Sequence, residues 1–235
     1  TGASNVALGA NALDANTTGS INVAVGYLAL SSNTTASANV AVGNEALETN
    51  TTGSSNTALG DEAMEFNTTG SSNVAVGNDA LYSNTTANNN TAVGASALFA
   101  NTTGYESTVI GANASKATTT GRQNVAIGYN CFQANTIGKE NVIIGQNAGY
   151  SSTEADENTF VGQSAGYHNT TGEKNTFIGR KTGQANTTAT GNTFIGHKAA
   201  QSTTTADNNT AIGRESLGAN TTGAQNVAVG AFALD

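Results

Sequence analysis

The sequence predicts an all-β fold, a parallel β-solenoid of the β-roll type, and two observations support that prediction. Gly recurs every seventeen residues, fourteen times in the 235-residue chain, and no insertion or deletion disturbs the spacing. Each of these glycines ends a phrase of the form Asn-(Val/Thr)-apolar-(Leu/Val/Ile)-Gly, as in Asn5-Val6-Ala7-Leu8-Gly9, with Ser107 replacing Asn in one copy. A strict short period is typical of one coil stacked many times.

The recurring glycines are expected to form the corners of fourteen coils, numbered here from the N-terminus. If the residues of a coil are counted from its Asn as position 0, beginning at Asn5, Gly occupies position 4. We expect 1–235 to be a single solenoid domain cut from a longer array that supplies polar caps. The corner residues are Gly9, Gly26, Gly43, Gly60, Gly77, Gly94, Gly111, Gly128, Gly145, Gly162, Gly179, Gly196, Gly213 and Gly230.

The residues between the glycines predict a short strand followed by turns. Position 1 is Val or Thr and position 3 is Leu, Val or Ile in all fourteen copies, a pattern that favours a strand ending at a corner with positive φ. The second half reads Ala-Leu-x-x-Asn-Thr-Thr-Gly, as in 12–19, and its Asn and Thr columns are suited to hydrogen-bonded ladders between coils. We therefore expect two short strands and two or three turns per coil, without helix.

Positions 2 and 8 vary together in size, which predicts that they share one space in the core. Ala7 is accompanied by Leu13, whereas Phe160 is accompanied by Gly166 and Phe177 by Gly183. Close-packed interiors hold a roughly constant volume, so a large residue at one position requires a small residue at the other.

Positions 1 and 3 face away from position 2, and both sides of the strand are apolar or β-branched. Strands that are apolar on both faces are buried on both. Since a single coil has only one interior, the sequence predicts that a laterally associated oligomer covers the second face.

Composition and charge limit the kinds of partner and the class of protein that are expected. The net charge is −8, and residues 1–115 contain eight acidic residues and no Lys or Arg, so nucleic acid is not expected as a partner. The chain contains no Pro, which fits backbone that is hydrogen-bonded on both sides, and a single Cys, which allows no intrachain disulfide. No stretch is long and apolar enough to span a bilayer, so membrane insertion is not expected.

The phrase Asn-(Val/Thr)-Ala-(Val/Ile)-Gly, followed by Ala-Leu and Asn-Thr-Thr-Gly, resembles the repeats of bacteriophage tail fibres that precede a self-cleaving chaperone domain. It is also similar to the repeats in the YadA-like heads of trimeric autotransporter adhesins. The resemblance covers the chain from Asn5 to Leu234. It implies a homotrimer of β-rolls, left-handed in the adhesin heads, with the strands packed around a three-fold axis.

The resemblance also implies a function. It suggests a non-enzymatic segment of an extracellular attachment fibre, acting as a stiff shaft and offering contacts to a glycan or protein receptor on a host surface. The adhesin heads have a shorter repeat, and the Asn-Thr-Thr-Gly element favours a virion tail fibre over a bacterial cell-surface adhesin. The adhesin head remains the alternative, and an ice-binding solenoid is a further one.

The chemistry-bearing residues do not predict an enzyme, a cofactor or a firm metal site. His168 and His197 occupy different positions, and Cys131 lies at the small position 7, where a buried structural thiol is expected. Candidate cation ligands are the position 6 residues Glu45, Glu62 and Asp79, with Glu48 and Glu65 nearby. A solvated acidic ridge is favoured over a cation site.

Three surface features have alternative interpretations. Sequons such as 16–18 are attributed to the structural ladder rather than to glycosylation. The Asn and Thr residues at positions 11 and 13 are the ranks that an ice-binding face would use. Six tyrosines are able to stack on sugars but are scattered among positions, so no groove is predicted; they are Tyr27, Tyr82, Tyr105, Tyr129, Tyr150 and Tyr167.

Overall fold

The computed structural model describes residues 2–235, which divide into two compact units at Thr120 and Gly121. In the described residues all the regular elements are β-strands, fourteen in number, and no helix is present. A helix able to cross a bilayer is likewise not found in this part of the chain. The predicted all-β parallel solenoid is confirmed, with seven strands in each unit.

The first unit contains seven three-residue strands, one per coil, at positions 1 to 3. Each pairs in parallel with the next, and residues at the same position are partners, as Val40 is with Val23 and with Thr57. The strands are β1 (Val6–Leu8), β2 (Val23–Val25), β3 (Val40–Val42), β4 (Thr57–Leu59), β5 (Val74–Val76), β6 (Thr91–Val93) and β7 (Thr108–Ile110).

The second unit repeats this arrangement. Its strands pair in parallel with the same register, so that Phe160 lies beside both Ile143 and Phe177. They are β8 (Val125–Ile127), β9 (Val142–Ile144), β10 (Thr159–Val161), β11 (Thr176–Ile178), β12 (Thr193–Ile195), β13 (Thr210–Ile212) and β14 (Val227–Val229).

Each coil contains one strand, so the prediction of two strands per coil is wrong. The reason is a set of left-handed residues that turn the backbone at positions 6, 8 and 16. Around coil 3 these are Ala38, Glu45 and Leu47, with φ of 60°, 56° and 53°. Left-handed L-residues are disfavoured by roughly 1–2 kcal/mol each, and they interrupt an extended segment. The second half of each coil is therefore a series of turns.

The core of each unit lies between the strand and these turns. In coil 3, Ala41, Ala46 and Leu47 are fully buried, at positions 2, 7 and 8. Val40, at position 1, is 36% exposed and points to the opposite side of the strand. Each strand therefore has one buried face and one outward apolar face.

Candidate functional site

The corner glycines are required by backbone angle and by space. All fourteen have φ between 126° and 146°, a region that L-residues with a side chain rarely adopt. A Cβ added at Gly128 would lie 2.6 Å from the carbonyl oxygen of Gly145 in the next coil. The corner column therefore sets how closely successive coils stack.

The structure brings the covarying pairs together in the interior of the second unit. A Cβ at Gly166 would meet the Phe160 ring at 2.5–2.9 Å, and one at Gly183 would meet the Phe177 ring at 2.7–2.9 Å. The Phe160 and Phe177 rings stack with centroids 4.8 Å apart, and Phe177 stacks on Phe194 at 4.9 Å. The Phe rings occupy the space that a position 8 side chain fills in other coils.

Burial of the Ala–Leu pairs depends on the neighbouring coils. Ala41 and Leu47 are fully buried between two coils. Ala7 is exposed and Leu13 is half-buried, because coil 1 has a neighbour on one side only in the described structure. An Ala–Leu pair is therefore fully enclosed where its coil has neighbours on both sides, as in coil 3.

Two columns of Asn side chains link the coils and meet at the backbone carbonyl of position 14. The Asn39 amide at position 0 donates to the Gly53 carbonyl (2.9 Å), and its backbone N–H donates to Oδ1 of Asn22 (3.0 Å). The Asn50 amide at position 11 donates to the same carbonyl (2.9 Å) and to Oδ1 of Asn33 (3.1 Å). Buried Asn is tolerated here because its polar atoms have partners.

A Thr interrupts the position 11 column in coil 12. Thr203 donates its hydroxyl to the Asn220 carbonyl (3.1 Å), and Oδ1 of Asn186 is left as a buried acceptor without a hydrogen-bond partner. Such an orphaned group loses its hydration on folding without compensation.

Restoring the ladder is expected to stabilise the protein. In Thr203→Asn the new amide would donate to Asn186 and raise the free energy of unfolding by about 1 kcal/mol, measured by chemical denaturation. Thr205→Asn, at the exposed position 13 of the same coil, makes the same exchange outside the ladder and serves as the control. Equal effects of the two substitutions would contradict the assignment.

The Thr column at position 12 also joins the coils. The Thr34 hydroxyl donates to the carbonyl of Thr51 (3.1 Å), and the same bond recurs along both units. Position 11 is buried, as at Asn50, while position 13 is exposed, as at Thr52. The two ranks considered for an ice-binding face therefore do not lie on one surface, and the sequon amide of Asn50 is held inside the ladder.

The candidate cation ligands lie on one acidic corner of the first unit, but only part of the set lies close together. Glu45, Glu48 and Glu65 each place a carboxylate oxygen within 4.8 Å of the others. Glu62 contacts Asp79 instead, in the next coil. The three close carboxylates therefore come from position 6 of coil 3 and from position 9 of coils 3 and 4. The main candidates predicted from the sequence were the three residues at position 6.

This crowding changes the acidity of the carboxylates. Partial burial raises the pKa of Glu62, and the negative charges of Asp79, Asp61 and Glu45 raise it further. The pKa values of Glu48 and Glu65 are also raised, first by burial and then by neighbouring glutamates. These groups bind protons more tightly in the folded state than in the unfolded state.

Their contribution to stability is therefore present at low pH and lost as pH rises through the raised pKa values. We expect Glu62→Gln to raise the melting temperature at about pH 8 and to have a smaller effect at about pH 4, where the native carboxyl is protonated. Asp14→Asn, in coil 1 of the same unit, is the control and should not reproduce this pH-dependent gain. A larger gain at the acidic end would contradict the assignment.

Aromatic side chains form short stacks at position 9, an arrangement that was not predicted from the sequence. Tyr82 stacks on Phe99 with centroids 4.9 Å apart, and Lys116 lies over the Phe99 ring at 5.6 Å. In the second unit Tyr150 stacks on Tyr167 at 5.0 Å. The seventeen-residue spacing of each pair was the signal that could have found them. The other three tyrosines lie at positions 5 and 15.

The two histidines occupy different surroundings. His168 contacts Tyr167 edge-on and helps to line a shallow groove of about 450 Å³, whose other lining residues are Gln184, Ala185, Gln201 and Ser202. His197 lies 3.9 Å from a carboxylate oxygen of Glu215 and 3.4 Å from a guanidinium nitrogen of Arg180. The structure does not bring the two histidines into one constellation.

Cys131 is fully buried, and its thiol donates to the Ile143 carbonyl (3.1 Å). Burial raises the pKa of the thiol to about 12. A thiol that holds its proton so firmly is a poor nucleophile and packs as a small apolar residue.

The outward side of the strands, at positions 1 and 3, is apolar or β-branched in both units, and we call it the outer strand face. In the first unit Leu59 is 47% exposed and Ile110 is 39% exposed. In the second unit Val142, Ile178 and Ile212 are each 38% exposed. Monomeric soluble proteins rarely expose long contiguous apolar patches.

These features define the chain as a β-solenoid repeat protein, in which ladders between coils and a thin core replace a conventional globular interior. Comparison with known protein families, with curated proteins and with solved structures found no match to it.

Proposed function

We propose that this chain is a structural segment of a trimeric extracellular attachment fibre, in which it acts as a stiff spacer between the two ends of the fibre. The proposal rests on the outer strand face, because this face presents Val, Ile and Leu at regular intervals along both units and would leave them exposed to solvent in a monomer. Three copies packed around a common axis would bury these columns against one another.

The ladders suit a mechanical role. Within each unit, neighbouring coils are joined by strand pairing, by the Thr column at position 12 and, in most coils, by the two Asn columns, as Thr51 illustrates by bonding to Thr68 at 3.0 Å. Many parallel hydrogen bonds must break together before a coil can separate, so the segment should resist both extension and proteolysis.

A phage tail fibre fits the seventeen-residue repeat with its Asn-Thr-Thr-Gly element, and a bacterial trimeric adhesin head is the alternative. We propose left-handed winding of the coils for both the tail fibre and the adhesin head. Their experimental consequence is the same, since both require three copies of the chain with the outer strand face inside.

The first test is the native mass in solution. Light scattering should give about 70 kDa, three times the chain mass of 23.4 kDa. A mass of 23.4 kDa at all protein concentrations tested would overturn the trimer and leave the outer strand face without a cover.

A substitution on the outer strand face tests where the copies meet. Ile178→Asp would place a charge in the proposed interface and is expected to convert the trimer to monomers, because an unpaired buried charge is strongly unfavourable. Thr188→Asp, at the exposed position 13 of the same coil, should leave the mass unchanged. Circular dichroism would confirm that both variants remain folded, and a folded trimeric Ile178→Asp variant would contradict the proposed interface.

A further inference from the structure

Three successive corners of the first unit carry acidic residues just after the Gly. Positions 5 and 6 of coils 3 to 5 hold Glu45, Asp61, Glu62 and Asp79, which we call the acidic ridge. The nearest Lys or Arg in the sequence is Lys116, which lies over Phe99. Burial raises the pKa of Glu62, and the negative charges of Asp79, Asp61 and Glu45 raise it further, so the charged neighbours of Glu62 in the ridge are acidic.

The same two positions carry the opposite charge in the second unit. In coils 11 to 13 they hold Arg180, Lys181, His197, Lys198 and Arg214, which we call the basic ridge. The one carboxylate among these positions, Glu215, contacts Arg214 at 3.4 Å and His197 at 3.9 Å.

In the part of the chain that the structure describes, the remaining cations of the basic ridge have no acidic partner. Arg180 donates to Oε1 of Gln163 (2.9 Å) and approaches His197. Within residues 2–235, no carboxylate lies at ion-pair distance from Arg180, Lys181 or Lys198. These three groups remain available to an external anion.

The repeat gives the two ridges the same geometry. Neighbouring coils in both units pair in parallel with residues of the same position as partners, so charges at position 6 recur at one strand spacing, roughly 4.8 Å. Their backbone conformation is also shared, since Glu62 has φ of 55° and Lys181 has φ of 57°. Two neighbouring carboxylates of the acidic ridge can therefore pair with the ammonium groups of Lys181 and Lys198 at a common spacing, and Arg180 and Arg214 lie beside them at position 5.

We infer that the acidic ridge of one copy docks on the basic ridge of a second copy, joining chains, or trimers where the proposed trimer forms, into larger bundles. The match of position and spacing favours a second copy over an unrelated anion, which would use the basic ridge alone and leave the acidic ridge unpaired. The net charge of −8 opposes unspecific association, so contact is confined to surfaces where opposite charges meet.

The inference predicts association that depends on salt. In sedimentation velocity at ~20 mM NaCl, where charges act over tens of ångströms, the weight-average mass should be at least about twice its value at ~500 mM NaCl. The mass at high salt reports the trimer, and the increase at low salt reports docking of the ridges. The two proposals can therefore fail separately. A mass that does not change with salt would overturn the docking of the ridges.

Charge reversal provides the specific test. Glu45→Lys/Glu62→Lys/Asp79→Lys makes both ridges basic, and Lys181→Glu/Lys198→Glu/Arg214→Glu makes both acidic. The substitutions at position 6 introduce Lys or Glu, and both residues already occur at position 6 in other coils. Each variant alone should lose the salt-dependent association, and an equimolar mixture of the two should recover it.

A control separates ridge pairing from net charge. Asp14→Lys/Glu157→Lys/Glu173→Lys shifts the net charge by the same amount as the acidic-ridge reversal but lies outside both ridges. It should retain the salt-dependent increase in mass. Loss of association in this control, or failure of the two reversed variants to combine, would overturn the inference.

Discussion

Phe160→Ala alone and Gly166→Leu alone are each expected to destabilise the protein strongly, whereas the double variant should recover most of the loss. Removing the ring leaves a cavity beside Gly166 and ends the stack on Phe177, at a cost of about 3–5 kcal/mol. Adding Leu beside the intact ring overfills the same space, because even a Cβ would lie 2.5 Å from the ring.

The double variant recreates a pair that the chain already uses. Ala41 and Leu47 fill the equivalent space in coil 3, and Leu47 has φ of 53°, so Leu is compatible with the left-handed backbone at position 8. We expect a coupling energy of about 2 kcal/mol or more from a double-mutant cycle measured by chemical denaturation. Additive effects would show that the two positions do not share one space.

Gly128→Ala is the second substitution with a large expected effect. The new Cβ would collide with the Gly145 carbonyl at 2.6 Å, and the φ of 139° is outside the regions that Ala adopts readily. We expect a loss of about 3 kcal/mol or more in the free energy of unfolding, with faster hydrogen exchange of the amides in coils 8 and 9.

The neighbouring Gly138→Ala variant provides a matched control. An ideal Cβ at Gly138 would also lie close to a carbonyl, 2.5 Å from that of Ala155. Position 14 nevertheless holds Ala in other coils, as at Ala36 and Ala155, and its φ lies outside the left-handed region. We expect a loss below about 1 kcal/mol, within the range of ordinary surface and turn substitutions. Equal losses at Gly128 and Gly138 would show that the positive φ is not the cause.

The fold could be predicted from the sequence because the repeat determines which residues are neighbours. Once Gly43 and Gly60 are known to be equivalent, parallel pairing in register follows, and the varying sizes of Phe160 and Gly166 indicate a shared interior. The separation of the two strand faces also follows from alternation, as Ala41 and Val40 show.

The turns could not be predicted in the same way, because left-handed backbone at ordinary residues is imposed by the ladders rather than chosen by local preference. Leu47 and Glu45 have low intrinsic tendency to adopt φ near 55°, and nothing in their chemistry indicates it. The signals lay in other copies of the same positions, where Gly149 and Asn147 occur. The stacking of Tyr150 on Tyr167 was missed because the tyrosines were considered as a scattered set.

The in-register corner column restricts how a protein of this kind can change in length. Removing one residue from a coil would shift the following Gly, such as Gly60, out of line with the carbonyl that it packs against in the next coil. It would also shift the ladder Asn residues, such as Asn56, away from their hydrogen-bond partners. Removing all seventeen residues of an internal coil, 56–72 for example, would leave every remaining neighbour with an equivalent partner. Lineages that carry this repeat should therefore differ by whole multiples of seventeen residues, and DNA insertions of fifty-one base pairs should be tolerated where shorter ones are not.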